Sequence, residues 1–402
     1  MLVAIDVRPL HQIGSSHRGI GRYLYNLVNS LLKFNGGPSF LFLVHKGKNA
    51  VLDLEGLSTS ARWKFLPLIR PERKIVPLYW FLDRLLLSSA LVKEGIDLFH
   101  ATGFSEPYFA TVAPSPHYGT VLTVYDLIPW LFPTEYYRTF QARLVRGYLY
   151  RLRLRAVKEA DKIIVPSEAS KRDLLALMKV SRHKVIPIHH GLPKGLAPIS
   201  DETQIGKVLA KYGIPQEYIL YLGGLDYRKN LGRLMQAYAS LLISRLWDGY
   251  LVIAGTGVKR EVAKVRQMIQ GLGLQGRILL PGFIADEDLP TLYSGAKVFV
   301  FPSLYEGFGL PALEAMACGT PVVTSNLSAL PEVVGEAAIQ VEPYDVQALA
   351  EAIAEVLKSE RLRNEMRAKG LARVKSFSLE EEARKTLSIY EEVGKEHQLA
   401  GG

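Results

Sequence analysis

FPSLYEGFGLPALEAMACGTPVVTSNLSALPE, residues 301–332, is the stretch whose reading decides the fold. The apolar run from Lys297 to Pro302 reads as a buried parallel strand, and Pro311 suits the first position of the helix that follows. Gly307 to Leu310 therefore form the strand-to-helix turn. Amides at a helix start lack intrahelical partners and carry the positive end of the helix dipole, so the turn can hold a diphosphate, and glycines let phosphate oxygens come close. Glu306 lies in the turn and Glu314 one turn into the helix, with seven residues between them. Both can accept hydrogen bonds from hydroxyls of one ligand lying across the helix start. A phosphate with hydroxylated groups on either side describes a nucleotide sugar. One glutamate alone, at either place, reads equally well as a helix cap or a dipole-favoured first-turn acid. The coincidence of turn glycines, first-turn proline, two acids and a following strand, Thr320 to Ser325, favours the ligand.

The string resembles the signature of retaining GT-B glycosyltransferases of family 4, and the resemblance spans nearly the whole chain. It implies that Glu306, with Gly307, Phe308, Gly309 and Leu310, holds sugar and diphosphate, and that Glu314 holds the ribose hydroxyls. The implied fold is α/β, two doubly wound Rossmann-like domains facing a cleft, with a C-terminal helix crossing back to the N-terminal domain.

Composition agrees with two domains. The chain has 402 residues and 48% hydrophobic content, enough for two ordinary cores. A lone cysteine, Cys318, rules out an internal disulfide framework or a multi-cysteine metal site and points to a reducing cytoplasm. MLVAID begins a strand directly, without a charged leader, and no apolar run is long enough to span a bilayer. Charge is uneven: residues 1–200 carry 27 basic against 14 acidic side chains and residues 201–402 carry 22 against 25, giving +13 and −3 of the total +10. An anionic partner is expected at the first half. Two segments concentrate basic and apolar side chains together, Arg62 to Lys93 and the arginine-rich Tyr136 to Lys158. Such mixtures suit an anionic membrane surface or a lipid diphosphate, at the inner face of the plasma membrane, better than nucleic acid. Each segment taken singly reads equally as a solvated basic helix face.

Strand-length apolar runs alternate with amphipathic stretches along the chain. Runs at Leu2 to Val7, Phe40 to Val44, Ile96 to His100, Val121 to Tyr125, Lys162 to Pro166 and Lys184 to Ile188 predict one parallel sheet. Helices are expected near 20–33, 77–93, 136–159 and 168–178. HHGLPKGLAPIS, from His189, reads as a linker. A second series follows at Tyr218 to Leu222, Tyr250 to Ala254, Arg277 to Leu280, Lys297 to Phe301 and Pro321 to Thr324. Residues 345–373 and 378–397 look wholly helical. The expected division is 1–195, an acceptor domain; 196–378, a donor domain; and 379–402, a helix returning to the first.

Doubly wound sheets bind ligands beyond the carboxyl ends of their strands, so further chemistry is sought in those loops. HQIGSSHRGIGRY, from His11, carries Gly19 and Gly21 at a helix start; RGIGRY resembles the bacterial mannosyltransferase branch of the family, and glycines there also simply make turns. YLGGLDYRKNL, from Tyr221, places Arg228 and Lys229 where they can meet charge developing on a leaving diphosphate; such a pair also reads as ordinary surface charge, and its place in a strand-to-helix loop favours the ligand. Fixed cations there do the work of a metal, no metal motif is present, and no cofactor is expected beyond the nucleotide-sugar substrate. Many family members have an arginine where this chain has Gly224. VYDLIPWLFP, from Val124, has Tyr125 before Asp126 where the family often has histidine before aspartate; a tyrosine with an ordinary pKa near ~10 is a poor base at neutral pH. Asp126 reads equally as a turn-forming acid before Pro129. His100, ending a strand in DLFHATGFSEP, is an acceptor-side candidate or a structural histidine. Gly282, Phe283 and Ile284 are expected near the nucleotide base.

The resemblance implies a retaining, metal-independent hexosyltransferase, with mannose from GDP-mannose passed to a glycan or lipid-linked acceptor in cell-surface polysaccharide synthesis. A UDP-sugar transferase of the same fold stays open, as does a nucleotide-sugar epimerase or non-catalytic binder.

Overall fold

Two series of short apolar runs fold into two sheets in which every pairing is parallel. The structure is a computed structural model and describes residues 1–11, 19–34, 36–45, 63–68, 86–102, 115–136 and 156–400. Contacts divide the chain into two compact units, Met1–Gly191 with Leu379–Gly402, and Leu192–Ser378.

In the first unit, β1 (Leu2–Asp6), β2 (Ser39–His45), β3 (Trp63–Leu68), β4 (Leu98–Ala101), β5 (Gly119–Thr123), β6 (Lys162–Val165) and β7 (Val185–Pro187) form a sheet in the order β3-β2-β1-β4-β5-β6-β7. Its strands are almost continuously apolar because helices cover both faces. Val3, Ile5, Leu98 and Val121 join one core and Ala4, Phe99 and Leu122 another, as period-two alternation requires. α1 (Gly19–Leu32) follows β1, and α2 (Glu168–Leu177), capped by the Ser167 side chain accepting from the Ser170 amide, follows β6.

The second unit holds β8 (Tyr218–Leu222), β9 (Tyr250–Ala254), β10 (Ile278–Gly282), β11 (Val298–Phe301), β12 (Val322–Ser325) and β13 (Ile339–Val341), ordered β10-β9-β8-β11-β12-β13. Its helices are α3 (Glu202–Lys211), α4 (Leu231–Ile243), α5 (Lys259–Gly271), α6 (Leu289–Gly295), α7 (Leu310–Ala317), α8 (Leu330–Val334), α9 (Val346–Lys358) and α10 (Glu360–Arg373). In each sheet the order reverses beside the first strand of the series, between β1 and β4 and between β8 and β11. Loops on either side of such a reversal diverge and leave a crevice at the carboxyl ends.

The last helix, α11 (Leu379–Ala400), packs on α1, β4 and β5 of the first unit, the return expected of the C-terminal segment. Its approach to β5 is close: a Cβ on Gly119 would lie 2.3 Å from Val393 Cγ1. Glu382 of α11 accepts the Gly191 amide at 2.8 Å and pairs with His190 Nδ1 at 3.2 Å.

Four readings need amendment. β3 and β13 were not expected as strands. The stretch 345–373 is two helices, because the Ser359 hydroxyl accepts from the Leu362 amide and starts a new one. Leu310 opens α7, so Pro311 holds its second position. The strand expected to end at Tyr125 ends at Thr123, which leaves Tyr125 in the loop beyond. Of the helices expected at 77–93 and 136–159, residues 86–93, 136 and 156–159 are helical; 77–85 and 137–155, with most of the second basic segment, lie outside the described residues. Among the described residues no helix is long and apolar enough to cross a membrane.

Candidate active site

The two loops beside the reversal of the second sheet, those after β8 and β11, build one charged cluster. Beyond β8 the chain passes Gly223 and Gly224, where Tyr221 donates its hydroxyl to the Gly224 carbonyl at 2.6 Å, and then forms a single 3-10 turn, Tyr227–Lys229. Asn230 closes that turn in the left-handed region at φ 59°, a conformation asparagine tolerates better than most residues. Its Nδ2 donates to the carbonyls of Pro302 at 3.1 Å and Pro343 at 2.7 Å, tying together the loops after β8, β11 and β13. The Leu304 amide donates to the Arg228 carbonyl at 2.7 Å, a second tie between the first two loops.

Beyond β11, the Glu306 amide donates to Ser328 Oγ at 2.9 Å. Gly309 caps α7 at φ 115°, a conformation that favours glycine, and a Cβ there would also have to displace the Leu330 Cδ2 methyl 2.7 Å away. Phe308 turns inward and meets Phe377 edge to face at 5.8 Å. Gly307 and Phe308 are both buried, and the Phe308 ring belongs to the core rather than to a ligand surface.

These ties bring Arg228, Lys229 and Glu306 together. Lys229 Nζ lies 2.5 Å from Glu306 Oε1 and 4.7 Å from the centre of the Phe301 ring, and Arg228 Nη1 lies 2.8 Å from Glu306 Oε2. Arg228 also donates to the Tyr305 carbonyl at 3.2 Å, and its Nε pairs with Asp226 Oδ1 at 3.0 Å. Glu306 is 8% and Lys229 5% exposed, so water screens these pairs weakly. Burial alone would raise the Glu306 carboxyl, but Arg228 and Lys229 outweigh it and hold the group down at about 2. Burial, and then the neighbouring Arg228, pull the Lys229 ammonium below its ordinary value against the attraction of Glu306. The cluster is two cations balanced by two carboxylates, beside the start of a helix whose free amides favour an anion.

Asp226 and Asn230 escaped the sequence reading although both stand in YLGGLDYRKNL. An acid two residues before an arginine and an asparagine opening a helix were the available signals.

The remaining candidates are dispersed. Glu314, on the first turns of α7, is 3% exposed and accepts the Tyr293 hydroxyl at 3.1 Å. Gly282 ends β10 at φ 80° with its carbonyl accepting the Gly255 amide; Phe283 beside it is 48% exposed. Ile284 is in the hydrophobic core, so its side chain is not available to a base and only its backbone could serve. Gly224 has Asp226 Oδ2 3.0 Å from where its Cβ would sit.

In the first unit, Gly19 opens α1 at φ 49° and Gly21 is buried within it, while residues 12–18 of that loop lie outside the described residues. Tyr125 is buried edge-on against Tyr23, ring centres 5.0 Å apart; burial, and then Glu382, push its hydroxyl well above its ordinary pKa, which removes it as a base. The Asp126 carboxylate accepts the Ile128 amide at 3.0 Å, the turn-forming arrangement.

His100 requires correction. It is fully buried, with Nδ1 2.6 Å from the Tyr390 hydroxyl on α11 and Nε2 2.7 Å from Thr123 Oγ1. Both ring nitrogens are committed inside the fold, so it pins α11 to β4 and β5 and does not meet an acceptor. Burial brings its pKa down to about 3. The folded value lies below the unfolded one near 6.5, so the stability it gives is complete above pH 6.5 and is lost as pH falls toward 3. Thermal melting between pH 7 and pH 5 is expected to drop for the native chain and to flatten for His100→Gln, by up to about 1.4 kcal/mol per pH unit from this group. Glu382, raised by burial, acts with the opposite sign in both chains and cancels in the comparison. Equal slopes would contradict the assignment.

Residues 207–373 match the family described as Glycosyl transferases group 1, and residues 17–194 match Glycosyltransferase Family 4. The chain is 31% identical over 382 residues to O-antigen chain mannosyltransferase B of Escherichia coli, covering 92% of this chain and 95% of that one. It is 32% identical over 280 residues to the serotype-specific mannosyltransferase WbdA of Escherichia coli, 69% of this chain, and spans 34% of that longer protein. Among solved structures it resembles sucrose-phosphate synthase from Thermosynechococcus elongatus (TM-score 0.75, 23% identity, 97% of this chain and 98% of that one) and Anabaena HepE in complex with UDP and glucose (TM-score 0.71, 18% identity, 96% and 99%).

Proposed function

The chain belongs to glycosyltransferase family 4 and has its two-sheet GT-B fold, and from that premise we propose that it is a retaining, metal-independent transferase moving mannose from GDP-mannose to a glycan or lipid-linked acceptor. The observation that carries this reading is the meeting of Arg228, Lys229 and Glu306 at the switch point of the second sheet. The donor diphosphate lies against the two cations and the amides that open α7. As the glycosidic bond breaks, negative charge grows on the leaving phosphate, and Arg228 and Lys229 stabilise it from fixed positions. The leaving phosphate takes the acceptor proton on the face from which it departs, which preserves the anomeric configuration. No side-chain base is needed in this scheme, in keeping with a Tyr125 hydroxyl too weakly acidic to act as one.

Support for mannose comes from the names of the relatives, two Escherichia coli mannosyltransferases. An acceptor at an anionic membrane surface rests on the +13 charge of residues 1–200, and failure to bind anionic vesicles at low salt removes that part alone. The test of the donor is calorimetric titration with GDP, UDP and their sugar conjugates, followed by incubation with lipid-linked acceptors in the presence of a chelator. Tighter binding of GDP and acceptor-dependent product of retained configuration are expected. A clear preference for UDP would overturn the mannose assignment, and product formed without acceptor would point to an epimerase.

A further inference from the structure

Both carboxylate oxygens of Glu306 are spent on the two cations assigned above to the donor diphosphate, Oε1 on Lys229 and Oε2 on Arg228. The second acid of the cluster is held differently. Asp226 lies two residues from Arg228 and immediately precedes the same 3-10 turn, so it travels with the guanidinium it pairs with. Glu306 reaches the cations from another loop, on a backbone fixed by its own amide to Ser328 Oγ. Its side chain can leave while its backbone stays.

Charge decides what happens when a diphosphate arrives. Two cations and two carboxylates are balanced as they stand. Adding at least two phosphate charges with Glu306 unmoved would pack a third and fourth anion around the same two cations in a weakly screened site, which is costly. A displaced buried carboxylate is costly too unless it finds a donor, and a sugar hydroxyl is a suitable one.

Resting on the family 4 reading, we propose that Glu306 is an exchangeable counter-ion. It holds Arg228 and Lys229 in the ligand-free chain, yields them to the diphosphate, and is taken up by a hydroxyl of the sugar being transferred. A nucleoside diphosphate without a sugar displaces Glu306 and offers nothing in return, so it binds at a penalty. Glu306 thereby sets the preference for intact donor over spent nucleotide and speeds product release.

The test is calorimetric titration of the native chain and Glu306→Gln with inorganic pyrophosphate, GDP and GDP-mannose, with UDP and UDP-glucose run beside them. In the variant, pyrophosphate and the bare nucleotide are expected to bind about tenfold tighter while the sugar nucleotide changes little, so that the ratio of the two dissociation constants shrinks. Equal changes in both, or weaker binding of the bare nucleotide, would overturn the proposal. A crystal structure of the native chain with the bare nucleotide covers the case of a poorly folded variant: the 2.5 Å Lys229 to Glu306 contact is expected to open beyond ion-pair range. Persistence of both Glu306 pairs around a bound diphosphate would overturn the exchange while leaving the transferase reading intact. A native chain that binds none of these nucleotides would remove the transferase reading itself.

Discussion

Gly255→Ala is expected to destabilise the second unit by about 3–5 kcal/mol, at the far end of what single substitutions do. Gly255 follows β9 at φ 125°, and a Cβ there would sit 1.9 Å from the Gly223 carbonyl oxygen and 2.9 Å from its carbonyl carbon. The obstacle is backbone, so no rotamer change relieves it. The loops after β8 and β9 touch main chain to main chain, joined by the Gly223 amide donating to the Ala254 carbonyl at 3.1 Å. Pushing them apart displaces the loop that carries Arg228 and Lys229, so nucleotide affinity should fall together with stability. Gly206→Ala is the comparison, because Gly206 lies inside α3 with nothing within 4 Å of the added carbon. There alanine should stabilise by about 0.5–1 kcal/mol through helix propensity. Urea unfolding of the three chains decides it, and a Gly255→Ala midpoint equal to the native one would contradict this packing.

The parallel sheets were legible because both faces of each are covered, which makes their strands stand out as apolar runs such as Tyr218 to Leu222 and Val298 to Phe301. β13 was missed because Ile339–Val341 is only three residues with a glutamine at its centre, and β3 because Lys64 and Pro67 interrupt its apolar pattern. Spacing along the chain also showed the strand, turn and helix around Glu306, since those are local relations. The identity of its partners was not local. Lys229 is 77 residues away and Arg228 78, and nothing in the order of residues says that the loops after β8 and β11 meet until the strand order is known. His100 shows the same limit in the opposite sense. A histidine ending a strand looks available, and the tyrosine that buries it comes 290 residues later on the returning helix.

Lys229→Met carries the largest expected effect on chemistry. Lys229 sits in the loop at the switch point and is nearly free of solvent; among the described residues the other cation paired with Glu306 is Arg228, which already serves Oε2 and Asp226. Removing a fixed charge from a weakly screened site costs far more than removing one at the surface, because water cannot replace it in the transition state. Lys211 provides the contrast: it is 54% exposed, paired with Asp288 at 2.7 Å, and Lys211→Met should leave transfer within about twofold, as surface pairs contribute little.

The decisive measurement is kcat/KM for sugar transfer by the native chain, Lys211→Met and Lys229→Met, taken at a temperature where circular dichroism shows all three folded. If the donor diphosphate docks between the β8 and β11 loops, Lys229→Met loses about 10²–10³-fold. Transfer by Lys229→Met within about threefold of the native rate, well short of the loss expected for a fixed transition-state charge, would place the diphosphate elsewhere.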